Sequence, residues 1–203
     1  MGKTIGKRLS SLSFLIPAYN DEATIEKALA EAVAVGKRVA KKFEVVLLDD
    51  GSQVQVATGL HPVRLVTHTV NQGYGKTIKE LYYAGKYEWL FTIPGDYQVG
   101  AKELEKLIPF SHHSDMILGW RMNRRDPPNR LIVSRMYNTL IRLLFGVRLH
   151  DVNSVRLMRR SILKDIRLTA SSAFVDAELV IRAKRAGFHV IEAPIAHRPR
   201  QGS

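Results

Sequence analysis

The sequence predicts an α/β fold: a mainly parallel sheet flanked by helices within a single domain. Two observations lead there. Short apolar runs that end in polar residues alternate with segments of helical period, the pattern of buried strands joined by crossover helices. No internal repeat, low-complexity tract or linker divides the 203 residues, a length at which one domain buries a sizeable core.

The elements follow in chain order. Residues 1–10 read as a disordered basic lead, with the folded domain spanning 11–203. Pro17 and Asn20 cut the first apolar patch short, which argues against a signal peptide. "LSFLIPAY" (12–19) and "FEVVLLDD" (43–50) are the first two strands. Between them Ile25, Leu29, Ala32, Val33 and Val39 recur at helical spacing, with Asn20 or Asp21 placed to cap the helix. "VRLVTHTV" (63–70) is a third strand, 75–86 a helix and "EWLFTI" (88–93) a fourth strand. A short helix at 101–108 and a strand at "DMILGW" (115–120) come next. Over 129–146 Ile132, Met136 and Leu140 fall on one side of a helix, while Arg135, Asn138 and Arg142 form a polar stripe.

Composition bounds the chemistry. Hydrophobic residues make up 45% and charged residues 25%, and there is no cysteine, so disulfides and thiolate metal sites are excluded. No apolar run approaches the roughly 18 residues a spanning helix needs. The net charge of +12 is one-sided: residues 1–100 carry 12 Lys+Arg against 10 Asp+Glu, and residues 101–203 carry 19 against 9. Fifteen of the 18 arginines lie in that second part. Arginine grips phosphate with a planar fork, so the excess points to an anionic partner. Aromatics scattered without a basic–aromatic repeat make nucleic acid an unexpected one.

In open α/β sheets ligands sit at the carboxyl ends of the strands. Those ends read "PAYND", "LLDDGS", "NQGYGK" and "IPGDYQ", four loops of acids, amides and turn formers at one rim. "NQGYGKT" (71–77) imitates the end of a triphosphatase phosphate loop. Such a loop requires glycine five positions before Gly75, where Val70 stands. The stretch therefore reads as a strand-to-helix turn of a larger site.

Taken together, the four loops resemble those of the family-2 inverting glycosyltransferases, in particular the polyprenyl-phosphate sugar synthases that include dolichyl-phosphate mannose synthase. "GWRMNRR", "VSRMYNTLIRLLFG", "DVNSVRLMRR" and "AELVIRAKRAGFHVIEAPIAHRPRQGS" follow the family's later order. The resemblance implies a GT-A fold, with a nucleotide-sugar half at 11–100 and an acceptor half at 101–203. It implies that Pro17, Ala18, Tyr19, Asp21, Asp49 and Asp50 line the nucleotide pocket, with Lys76 towards the diphosphate. Asp96 would hold Mg2+ or Mn2+ and contact the nucleotide, with Gln98 as a second oxygen. Pro94 stands where the family commonly has a first acid. Arg121 and Arg135 would grip the acceptor phosphate and act in catalysis beside Asp96, with Asn138 and Arg200 also acceptor-binding.

The implied function is transfer of sugar from a GDP- or UDP-linked donor to a polyprenyl phosphate, peripherally at the cytoplasmic face of an anionic membrane. A membrane-anchoring subunit is a further expected partner. Asp176 and Glu178 read as structural acids. Two alternatives remain open at this point: a transferase acting on a saccharide or other soluble acceptor, for which a base such as Asp176 would matter, and a non-catalytic nucleotide binder.

Overall fold

A computed structural model describes residues 8–54, 61–122 and 127–198. Its seven strands form one sheet in the order β3-β2-β1-β4-β6-β5-β7. They are β1 (Leu9–Ala18), β2 (Ala40–Asp49), β3 (Val63–Thr67), β4 (Trp89–Thr92), β5 (Met116–Arg121), β6 (Arg156–Arg159) and β7 (Val190–Ile195). The helices are α1 (Glu22–Val39), α2 (Tyr74–Ala84), α3 (Leu104–Leu107), α4 (Pro128–Phe145), α5 (Ile162–Asp165) and α6 (Val175–Arg185). Short 3-10 turns flank α3 at Ala101–Glu103 and Ile108–His112.

Strand β1 lies inside the sheet, between β2 and β4, and carries apolar side chains on both faces. Leu12, Phe14 and Ile16 pack with α1 and α3 on one side, and Leu15 packs with α2 and α6 on the other. Each such side chain taken from water stabilises the fold by about 1.5–3 kcal/mol. The register pairs β1 in parallel with β2 and β4, and β2 in parallel with β3. The chain runs outward from β1 through α1 to β2 and β3, then returns through α2 to β4 on the other side of β1. This reversal opens a crevice at the carboxyl ends of β1 and β4, where such sheets bind ligands.

The second half of the sheet departs from the parallel pattern. β6 runs antiparallel to both β4 and β5, while β5 and β7 pair in parallel. One sheet thus runs through both halves expected from the sequence, mainly parallel and layered with helices on each face.

Two local expectations change. The first strand starts at Leu9, inside the stretch read as a disordered lead. Leu9 pairs with Ala40 and is buried, and Arg8 donates to the carbonyls of Lys37 and Ala40. Asp21 occupies the cap position of α1, yet its side chain makes no capping bond; the carboxylate accepts the Tyr19 N–H instead. Among the described residues no helix is long and apolar enough to cross a membrane.

Candidate active site

The rim crevice is a cavity of about 480 Å3. The end of β1 contributes Pro17 and Ala18, the loop after it Tyr19 and Asp21, and the loop after β4 Pro94, Gly95 and Asp96. Asp50, Asn71, Gly73, Tyr74 and Thr77 complete the wall. Six of the residues expected around the nucleotide therefore meet here: Pro17, Ala18, Tyr19, Asp21, Asp50 and Asp96.

Asp49 and Lys76 do not line this cavity. Adjacent residues at a strand end point to opposite sides, so only one of Asp49 and Asp50 can face it. Asp49 turns into its own loop, where it accepts the N–H and hydroxyl of Ser52. Lys76 stands exposed in the first turn of α2, which is the solvated role weighed against a diphosphate contact.

Asp50 organises the glycine-containing loop. Its carboxylate accepts the N–H groups of Gln72 (2.8 Å) and Gly73 (2.9 Å), and it contacts His68 Nδ1 at 2.7 Å. The other ring nitrogen of His68 lies 3.0 Å from Glu80 Oε2. Burial acts to raise the Asp50 pKa, but the bonds from His68, Gln72, Thr77 and Gly73 outweigh it and hold the carboxyl below its ordinary value. Burial likewise acts to lower His68, but the two carboxylates outweigh it and raise the imidazole above its ordinary value. The amides that a triphosphatase loop would turn towards phosphate are here engaged by a carboxylate. Gly75 has a packing reason instead: a Cβ there would stand 2.3 Å from the Ser172 carbonyl oxygen.

Asp96 is half-buried, and its Oδ1 accepts the Gln98 N–H at 3.0 Å. Mg2+ and Mn2+ prefer oxygen ligands and keep several waters, completing their shell with substrate phosphates. Among the described residues no group of three or more acid or histidine side chains could hold an ion alone. One carboxylate with the Gln98 amide in the next cavity fits a cation held jointly with a donor diphosphate, and does not fit a metal bound to the protein by itself.

Behind this crevice lies a smaller pocket of about 110 Å3, which shares Pro17, Tyr74 and Pro94 with it and adds Gln98, Asn153, Ser154 and Arg121. Arg121 in turn reaches a third cavity of about 610 Å3, lined also by Trp120, Arg135, Asn138, Arg142, His150 and Asp151. Arg121 is held there by a bidentate pair to Asp151, at 2.6 and 2.8 Å. Arg135 and Arg142 make no ion pair among the described residues. Asn138 is largely structural: it donates to the Ser134 carbonyl and accepts the Val152 N–H. Trp120 stacks on His150 with centroids 4.5 Å apart, and His150 Nδ1 lies 2.9 Å from Glu192. Arg200 lies outside the described residues.

Beneath the pockets sits a buried network that sequence reasoning did not find. Arg156 on β6 pairs with Asp176 on α6 at 3.0 Å, both nearly inaccessible. Tyr74 and Tyr82 donate their hydroxyls to the same carboxylate, at 2.7 and 2.9 Å. Burial acts to lower the Arg156 pKa, and the facing Asp176 carboxylate outweighs it, so the guanidinium stays charged. Glu178 is equally engaged. It accepts from Thr169, Ala170 and Arg182, which outweigh burial and bring its pKa down to about 2. Neither acid is placed to take a proton from a substrate. Tyr74, which joins the rim to this network, could have been noted as the one aromatic in the third loop.

The chain is 29% identical over 201 residues to an undecaprenyl-phosphate 4-deoxy-4-formamido-L-arabinose transferase from Pseudomonas paraeruginosa, covering 93% of this chain and 58% of that protein. The corresponding transferase of Edwardsiella ictaluri is 27% identical, with 96% and 62% covered. The chain thus spans about three fifths of the length of these relatives. Glucosyl-3-phosphoglycerate synthase from Mycobacterium tuberculosis, crystallised with Mn2+, UDP and phosphoglyceric acid, superposes with a TM-score of 0.74 at 18% identity, over 96% of this chain and 72% of its own. The fold is accordingly the GT-A fold implied by the loops. Residues 13–167 match the family described as Glycosyl transferase family 2, and the chain belongs to that family.

Proposed function

We propose that this chain transfers a sugar from a nucleotide-diphosphate donor to a polyprenyl phosphate, acting peripherally at the cytoplasmic face of a membrane. The observation that carries the reading is the arginine-lined cavity, which shares Arg121 with the small pocket that adjoins the rim crevice. A phosphate monoester is already anionic near neutral pH. It needs charge neutralisation and aim more than a general base. The third cavity supplies Arg121, Arg135 and Arg142, while Asp176 and Glu178 have their oxygens occupied. A soluble hydroxyl acceptor would instead require a free carboxylate at that place. The names of the relatives support the polyprenyl-phosphate class.

In this reading the crevice holds the nucleotide against Tyr19 and Asp21, and the small pocket between the cavities receives the sugar. Arg121 and Arg135 aim a phosphate oxygen at the anomeric carbon. The new C–O bond forms as the bond to the departing diphosphate breaks, inverting the configuration. A divalent ion at Asp96, when bound, supplies charge stabilisation for that leaving group. Mn2+ in complexes of the structural neighbour supports a metal of this kind.

The membrane assignment rests on α4. Its Ile132, Val133, Met136, Leu140, Leu143 and Leu144 are 52–75% exposed, beside Arg135 and Arg142. An apolar face edged by arginine suits an interfacial helix, to which each basic residue near an anionic leaflet adds about 1 kcal/mol. The deciding experiment supplies radiolabelled UDP- or GDP-sugars, Mn2+ or Mg2+ and undecaprenyl phosphate to the protein on vesicles. An organic-extractable product is expected. In parallel reactions with saccharides added, product confined to the aqueous phase would favour a soluble acceptor, and no product across common donors would defeat the proposal.

A further inference from the structure

The loop that carries Asp96 is held in an unusual backbone state. Tyr97, between the two residues that would face the metal, has a φ of 58°. A bulky side chain adopts that region only where its surroundings enforce it. Here the enforcing groups come from the two ends of the chain. The Tyr97 ring is buried, with Lys27 Nζ on α1 4.9 Å from its centroid and the Arg198 guanidinium, just after β7, at 4.3 Å. The Arg198 N–H also donates to the Gln98 carbonyl at 2.8 Å. Arg198 therefore grips two consecutive residues of the loop, one through its side chain and one through its backbone.

Behind Arg198 stands Glu31 on α1. Its carboxylate is buried and faces the Tyr97 hydroxyl, and its Oε2 lies 4.0 Å from Arg198 Nη1. A buried carboxylate in this state is costly unless a positive charge faces it, and Arg198 is that charge. The fit is close: a Cβ on Gly100 would come 2.6 Å from Glu31 Oε2 and 2.8 Å from Arg198 Nη1.

We infer that Glu31, Tyr97 and Arg198 form a clasp that keeps the 95–99 loop in the conformation able to bind a divalent cation, with Glu31 as a positioning residue that itself touches neither metal nor donor. The inference rests on the metal-dependent reading above. It also ties the segment after β7 to the metal loop, so that the two move together.

The test measures Mn2+ binding in the presence of UDP, by calorimetry and by manganese spin resonance, with amide exchange of residues 95–99 in the metal-free protein. Glu31→Gln keeps the shape and removes the charge. It should weaken Mn2+ binding at least fivefold and speed exchange of the loop amides at least tenfold. Tyr97→Ala should do the same, whereas Tyr97→Phe keeps the ring against the two cations and loses only the hydroxyl that faces Glu31, so it should weaken Mn2+ binding less than Tyr97→Ala does. Should Tyr97→Ala fail to fold, Glu31→Gln and the exchange rates decide. Wild-type Mn2+ affinity and loop exchange in folded Glu31→Gln would overturn the clasp alone. Wild-type protein that binds no Mn2+ with UDP would overturn the metal-dependent reading and the clasp's role in it, even if exchange still responded to Glu31→Gln.

Discussion

Replacing Asp176 by Asn separates a structural acid from a catalytic base. In the wild-type protein the carboxylate faces the buried Arg156 at 3.0 Å and accepts the hydroxyls of Tyr74 and Tyr82. Asparagine keeps the volume but leaves the Arg156 guanidinium without its counter-charge. Removing one partner of a buried pair costs about 3–5 kcal/mol. For a chain of 203 residues, each kcal/mol moves the melting temperature by about 2–4 °C. Asp176→Asn should therefore melt roughly 6–20 °C below wild type. Calorimetric melting gives the stability, and transfer assayed well below the transition gives activity per folded molecule. The account predicts a large loss of stability with activity reduced no more than about tenfold, through the loosened Tyr74. A variant as stable as wild type yet inactive would refute it and make Asp176 a base.

Further outcomes follow from the same geometry. Arg135→Gln and Arg142→Gln should each raise the acceptor KM about 10-fold or more, as loss of a charge-assisted bond implies, and leave the donor KM unchanged; equal effects on both substrates would contradict the placement of the acceptor. The Glu178 pKa is depressed to about 2, so its contribution of about 3 kcal/mol is present above its unfolded pKa and fades as pH falls from about 4.5 towards 2. The stability gap between wild type and Glu178→Gln should close over that window in denaturant titrations. His68 is shifted upward, so its contribution is complete below the unfolded value near 6.5 and is lost as pH rises through the folded value. Proton NMR should place its titration above 6.5, and a value below would contradict the Asp50–His68–Glu80 bridge. Leu143→Ser with Leu144→Ser should release the protein from anionic vesicles in flotation without changing its melting, because both side chains are exposed.

The sequence was legible where a signal is local. The short apolar runs returned in the carboxyl-terminal parts of β1 and β2 and in β4, and the helical period over 129–146 returned as α4 to within a residue. The four loops could be placed at one rim because acids, amides and turn formers recur at four successive strand ends, where any one of them alone would mean only a turn. What escaped depends on distant partners. β6 carries Arg156, Leu157, Met158 and Arg159, a charged run that has no strand period on its own. Arg156 is buried only because Asp176 faces it from twenty positions further on. Asp49 and Asp50 look equivalent in the sequence, and the alternation of a strand decides which one reaches the crevice. Periodicity marked the apolar side of α4 but could not say whether protein would cover it. Glu31 and Arg198 stand at opposite ends of the chain, and only the fold brings them to Tyr97.

The central claim is that Asp96 holds a cation against the donor's diphosphate at this rim. Calorimetric titration of UDP and of GDP into wild-type protein and Asp96→Ala, with and without Mn2+, tests it most directly. One nucleotide should bind the wild type in Mn2+ and lose at least tenfold in affinity when either the metal or the carboxylate is removed. Binding that ignores both Mn2+ and Asp96 and weakens steeply with salt would contradict the claim, and would describe a basic surface that attracts anions.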